Sequence, residues 1–158
     1  MGGITGLHHV NVIVPPGTLE AAKEFYGNTL GLTPRAVPAA QEGRLAWFDI
    51  GSSGQQVHVA FGREGIDFSE EARGASRHPC FKVGGGVEEL KALQGRVWGH
   101  YLRGLRAKEK GEGEGEDVLG APMGCDEPGE VNSGAQGPEY PTRFFARDYA
   151  GNRLEFTL

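Results

Sequence analysis

LHHVNVIVPPGTLEAAKEFYGNTLGL, residues 7–32, carries a change of hydrophobic period that decides how the chain is read. Over 7–14 apolar residues alternate, which is the period of a half-buried strand. PPGT at 15–18 then stops it. From Leu19 the period lengthens, with Ala22, Phe25, Tyr26 and Leu30 at helical spacing, Thr18 placed to cap the helix and Gly31 to end it. Three strand-like runs follow at 32–37, 44–51 and 55–62, the last two joined by the turn SSG. The first part of the chain therefore reads β-α-β-β-β.

The same order then starts again. After the charged connection REGIDFSEEARGAS (63–76), HPCFKVGGG reads as a strand ended by glycines. Residues 87–108 follow as a helix carrying Val87, Leu90, Leu93, Val97, Tyr101 and Leu105 on its apolar stripe. Gly95 and Gly99 each cost it about 1 kcal/mol against Ala, so it is expected to fray, and His100 is expected at its surface. EKGEGEGED (109–117) offers no apolar surface to offset the entropy of ordering and reads as a solvated loop. DVLGAP (117–122) is expected to form a short strand, 123–141 to be irregular, and 142–158 to close as a hairpin turning at DYAGN. The expected architecture is one α+β domain over 1–158, with module one at 7–63 and module two at 77–158. A glycine-rich acidic insertion interrupts the second module over about 106–140.

Composition narrows the function classes. The net charge of −5 argues against a nucleic-acid partner. No apolar run approaches the roughly 20 residues of a membrane helix, and the first ten residues lack a basic segment followed by an apolar one, so a cytoplasmic protein without a membrane partner is expected. Cys80 and Cys125 are too few for a disulfide framework and are expected as free thiols. GEGEGE lacks the spacing and the lysine–hydroxyl pair of a phosphate loop.

The repeat bears on the histidines, because two copies of one unit pack around a shared axis and bring equivalent positions together. The first strands carry His9 and His78, and the last strands carry His58 and Glu155. By strand alternation His9 opposes Val10 and Val12, His58 opposes Val57 and Val59, and Glu155 opposes Leu154 and Phe156. All four thus point away from the helix-packed core, whereas His8 shares a face with Val10. A concave sheet would gather the four. Three imidazoles and a carboxylate suit one divalent Fe, Zn, Mn, Ni or Co ion, and a metal-free polar pocket remains the other reading. Asn11 lies on the His9 face. Arg143 and Arg147 alternate with Phe144 and Ala146, so both can face the cup and hold a substrate carboxylate. Trp47 and Phe48 alternate, and whichever faces the cup supplies an aromatic wall.

The opening LHHVNVIVPPGTLEAAKEFYGNTLGL, the middle VHVAFGRE and the close TRFFARDYAGNRLEFTL resemble the vicinal oxygen chelate superfamily, also called the glyoxalase/bleomycin resistance/dioxygenase superfamily. The likeness covers the chain outside about 106–140. It implies two modules in a cupped, incomplete barrel, with metal ligands on the first and last strands of each: His9, His58, His78 and Glu155. It also implies Lewis-acid chemistry on a small molecule with two neighbouring oxygens, by a lyase, an isomerase or an extradiol-type dioxygenase. A glyoxalase I-like lyase needs a carboxylate where this chain has His58. Extradiol dioxygenases and fosfomycin-opening transferases use two histidines and a glutamate, a set matched by His9, His58 and Glu155, with His78 as a fourth ligand or an acid/base. Relatives often form homodimers, some completing the site across the interface. Bleomycin-resistance-like relatives bind a small molecule without metal, which is the alternative function.

Overall fold

The computed structural model describes residues 3–68, 76–111 and 118–158. Strand β1 (His9–Val14) turns its valines to the interior, as its alternation requires. Helix α1 (Leu19–Ala22) runs straight into a π-helical stretch (Lys23–Thr29) that buries Phe25 and Tyr26. β2 (Thr33–Arg35), β3 (Leu45–Asp49) and β4 (Gln56–Phe61) complete a mixed sheet of order β1-β4-β3-β2, in which β1 and β4 are parallel. The second sheet repeats the plan. β5 (Cys80–Lys82), helix α2 (Gly86–Lys110), β6 (Gly124–Cys125), β7 (Arg143–Arg147) and β8 (Arg153–Thr157) give the order β5-β8-β7-β6, with β5 and β8 parallel.

One hydrophobic cluster serves both sheets. Val12, Val14, Phe48, Val57 and Val59 from the first sheet join Phe144, Ala146, Leu154 and Phe156 from the second, with Phe25, Tyr26, Leu90 and Val97 of the helices among them. Phe144 stacks on Phe156 at 4.7 Å between centroids. Polar links reinforce the joint at the Asp148–Asn152 turn. The hydroxyl of Tyr26 donates to Asp148 Oδ2 at 2.7 Å, and Asn152 Nδ2 donates to the Ile13 carbonyl at 2.9 Å. Asp148 is wholly buried and also accepts the amides of Ala150 and Asn152 and the Asn152 side chain. Burial pushes its carboxyl above the ordinary value despite these four donors.

Five local expectations need correction. Thr18 occupies the N-cap position without capping, because its hydroxyl donates backwards to the Pro15 carbonyl at 2.7 Å. The first helix leaves the α register after Ala22, the Leu30 amide reaching back five residues to the Phe25 carbonyl; Gly31 then ends it with φ +76°. Helix α2 is unbroken across Gly95 and Gly99 over 25 residues. Its buried stripe runs through Leu90, Leu93, Val97, His100, Gly104 and Ala107, while Leu105 is exposed. His100 is therefore interior, 1 % exposed, between Thr29 Oγ1 at 2.8 Å and the Leu119 carbonyl at 3.1 Å.

The expected strand in DVLGAP is the fifth. Its described residues, 118–122, form a turn in which the Ala121 amide donates to the Val118 carbonyl, and the second sheet takes Gly124–Cys125 instead. The turn is pressed into the helices. A Cβ at Gly104 would lie 2.6 Å from Ala121 Cβ, and one at Gly120, where φ is +67°, would run into the Ala21 carbonyl oxygen. Of the acidic loop expected at 109–117, residues 112–117 lie outside the described residues, and helix α2 continues to Lys110.

Candidate functional site

Each sheet turns one face away from the shared core, and strand alternation puts His9, His58 and Glu155 there, whereas His78 lies before β5 rather than on it, because the strand begins only at Cys80. On the first sheet β1 and β4 pair with Asn11 opposite His58, and β3 and β4 pair with Trp47 opposite His58. This register builds a stack of three rings. His58 lies between His9, at 4.1 Å and 10° between planes, and Trp47, at 4.4 Å and 7°. Phe48, the alternate residue, is fully buried in the core. Trp47 is thus the aromatic wall.

A polar relay sets the tautomer of His58. Gln56 Nε2 donates to Asp49 Oδ1 at 2.7 Å, which turns Gln56 Oε1 toward His58 Nε2 at 2.9 Å. His58 Nε2 must then carry the hydrogen, and Nδ1 keeps its lone pair. Burial, with the neighbouring His9 and His8 rings, holds the His58 pKa below its ordinary value, so the ring is neutral at pH 7. His8 itself is exposed, with Nδ1 3.2 Å from His9 Nδ1.

The second sheet holds its donors by charge. Glu155, on β8, places Oε2 3.0 Å from His78 Nε2 and accepts Arg143 Nη1 at Oε1, also at 3.0 Å. His78 Nδ1 faces the Ser76 carbonyl at 2.6 Å, so both of its ring nitrogens point at acceptors. Burial raises the Glu155 carboxyl, but hydrogen bonds from His78 and Cys80 and the Arg143 guanidinium outweigh it and hold it below the ordinary value. The edge of the Phe145 ring meets His78 at 5.6 Å, and Arg153 lies 4.4 Å over the same ring.

The four donors fall into two pairs, His9 with His58 and His78 with Glu155. Among the described residues, no three His, Cys, Asp or Glu side chains cluster as a metal site. Asn11 and His78 both line a cleft of about 720 Å³ between the edge strands β1 and β5. Arg143 is engaged by Glu155, and Arg147 donates to the Gly151 carbonyl at 2.9 Å. Cys80 and Cys125 are free thiols; burial pushes the Cys125 thiol far up and raises that of Cys80.

Sequence reasoning missed Gln56, Asp49, Phe145 and Arg153. Parity offered a signal for two of them, and only strand register places the other two. Gln56 and Arg153 stand two residues before His58 and Glu155 on the same faces, and Phe145 and Asp49 pair directly with Glu155 and Gln56.

No protein-family model matches the chain, and no curated protein matches it. Solved structures do. A glyoxalase family protein from Bacillus anthracis is 24% identical, with a TM-score of 0.59 over 99% of this chain and 96% of that one. A glyoxalase/dioxygenase from Nostoc punctiforme is 17% identical, with a TM-score of 0.58 over the same shares. The fosfomycin resistance protein FosX from Listeria monocytogenes, solved with Mn(II) and sulfate, is 14% identical, with a TM-score of 0.54 over 98% of this chain and 90% of that one. At these identities the likeness establishes the fold: two four-stranded mixed sheets in the arrangement of the glyoxalase/bleomycin resistance/dioxygenase proteins. Among the described residues no helix is long and apolar enough to cross a membrane.

Proposed function

We propose that this chain is a metal-dependent enzyme acting on a small molecule with two neighbouring oxygens. In this reading His9 and His58 of one copy, with His78 and Glu155 of the partner subunit, hold one divalent Fe, Zn, Mn, Ni or Co ion. The observation that carries it is the matched placement of donors. His9 and His58 stand on the first and last strands of module one and Glu155 on the last strand of module two, all on the sheet face turned from the core, with His78 two residues before β5 and beside Glu155, and one chain alone leaves the two pairs apart.

The donors suit such an ion chemically. His58 is neutral, with its Nε2–H given to Gln56 and Nδ1 left as a base, the outer-partner arrangement that orients metal-bound histidines. His78 Nε2 and Glu155 Oε2 stand 3.0 Å apart, and Glu155, held below its ordinary pKa, offers a cation an anionic oxygen. When bound, the ion supplies Lewis-acid stabilisation of negative charge forming on the substrate oxygens. Around it the chain's own groups orient and move protons. Arg143 fixes the Glu155 carboxylate, His78 donates or takes a proton at the reacting face where His9, His58 and Glu155 alone hold the ion, and Asn11 hydrogen-bonds the substrate from the cleft it shares with His78. Arg147 holds an anionic substituent. A lyase, an isomerase and a dioxygenase all fit this set, and His58 in place of a second carboxylate disfavours glyoxalase I chemistry.

Elemental analysis of protein purified without a histidine tag tests the reading. About one metal equivalent per chain is expected, with a dimer by light scattering. His58→Ala and Glu155→Ala each lose the metal. If the site is shared, refolding the two variants together restores part of it, because one of the two sites in the mixed dimer is intact. Metal-free protein that still binds a small molecule would instead mark a sequestering protein of the bleomycin-resistance kind.

A further inference from the structure

β1 and β5 are both edge strands, and the bonds they do make fix where their other backbone groups point. The His8 and Val14 carbonyls accept the amides of Gln56 and Gly62 at 3.0 and 2.9 Å, so by the alternation of a parallel pair Val10 and Val12 also bond β4. The N–H and C=O of Asn11 and Ile13 therefore point away from β4. On β5 the Pro79 carbonyl accepts the Glu155 amide at 3.0 Å and the Val83 amide donates to the Thr157 carbonyl at 2.7 Å, which turns the N–H and C=O of Cys80 away from β8. Asn11, Ile13 and Cys80 all line the 720 Å³ cleft. Among the described residues no backbone bond crosses it.

The cleft is thus a slot between two strand edges, each without a neighbour on that side. Backbone groups in such a place are completed by water or by another extended chain. One of them is already completed, and by an amide. Asn152 Nδ2 donates to the Ile13 carbonyl at 2.9 Å, as the N–H of an added strand would. The Ile13 N–H and both groups of Asn11 and Cys80 are left to a ligand. Donors and acceptors are offered together on both walls, whereas an anion uses donors alone and a cation acceptors alone; an extended amide chain uses both. Cys80 joins the slot to the donor pair, since its backbone faces the slot and its thiol hydrogen-bonds the Glu155 carboxylate that His78 also holds.

We infer that this slot binds an extended, peptide-like amide chain along the free edges of β1 and β5, and that the small molecule handled at His78 and Glu155 is the head of such a chain. The slot stands on backbone direction alone; the identity of its occupant as substrate rests on the proposed function.

The first experiment uses chelator-treated protein and the uncharged peptide Ac-Val-Thr-Val-Thr-NH2. In the free protein the amides of Asn11, Ile13 and Cys80 exchange with solvent faster than those of Val10, Val12 and Phe81, which bond within their sheets. The peptide slows exchange at the first three with a saturating dependence and shields the Cys80 thiol from methyl methanethiosulfonate. The same peptide N-methylated at both valines loses the N–H groups aimed at one edge and binds about tenfold more weakly. Uniform exchange along β1, no response to the peptide, or equal binding of the methylated form overturns the slot. The second experiment uses protein loaded with Mn(II) and compares catechol with N-acetyl-3,4-dihydroxyphenylalanine amide by calorimetry. The amide binds about tenfold tighter, and N-methylation removes the gain. Equal binding of catechol and the amide overturns the link to the donor pair while the peptide result still decides the slot, so the two failures are separable.

Discussion

The two sheets share one topology and hold their donor side chains by opposite means. On the first, His58 is sandwiched between His9 and Trp47 and aligned by an amide, so its neighbours keep it neutral and leave a nitrogen lone pair. On the second, Glu155 is clamped between a guanidinium and an imidazole, which keep it ionised. The repeated backbone decides where a donor stands. Its side-chain neighbours decide which charge it carries and how firmly it is held. A stack can slide and its rings can turn, whereas a two-sided ion clamp fixes direction, so the second sheet presents the preorganised half and the first the adjustable one.

Four measurements bear on that contrast. The largest effect is expected from removing the clamp. Glu155→Ala leaves His78 and Arg143 without their acceptor and should cost about 1–3 kcal/mol in urea unfolding at pH 7. His58→Ala, which empties a stack and takes one donor from Gln56 Oε1, should cost about 1 kcal/mol or less. Equal losses would erase the distinction. Trp47→Leu comes next: losing one face of the stack should cost about 0.5–1.5 kcal/mol and move the His58 ring protons downfield by loss of ring current, with the His78 signals unmoved.

Acidification separates the sheets by window. Both groups have folded-state pKa values below their unfolded ones. Each therefore contributes stability above its unfolded value, about 6.5 for histidine and 4.3 for glutamate, and loses it as the pH falls through the folded value. Tm should thus decline in two stages from pH 7 downward. His58→Ala flattens the upper stage, leaving the part due to His100, which burial also lowers, and Glu155→Gln flattens the lower one. A single stage, unchanged by either substitution, would mean that the two halves do not differ in charge state. The smallest effect is expected at the exposed Arg35–Asp49 pair at 3.3 Å, where Arg35→Ala should change stability by less than about 0.5 kcal/mol, showing that charge matters on this face only where a clamp is built.

Much of this architecture was legible because it depends on period. The alternation in HVNVIV and RLEFT and the β-α-β-β-β repeat reappear in the two sheets, and His9, His58 and Glu155 stand on the faces that parity assigned them. What period could not show was packing at close range. His100 was misread because Tyr101 and Leu105 look like the apolar continuation of α2, whereas Gly104 and Ala107 are small enough for the 118–121 turn to settle there and cover the His100 side. The π-helical register hides for the same reason, since helical spacing is tolerant of one extra residue per turn. The relay through Gln56 and Asp49 needed the register of β3 against β4, which a list of candidate strands does not contain. Convergence of the donor pairs is a matter of how sheets are placed, and alternation within a strand is silent about it.

The wholly buried Asp148 has a consequence for how the molecule comes apart. Its carboxylate sits in the turn of the last hairpin and is satisfied in part by a hydroxyl from the first helix, while the same turn grips the carbonyl of Ile13. Prising one repeat from the other would take the Tyr26 hydroxyl from Asp148 and the Asn152 side chain from the Ile13 carbonyl, and open the common aromatic interior to water. The duplicated halves have therefore lost their independence: neither is a free-standing fold, and melting should proceed as a single all-or-none event.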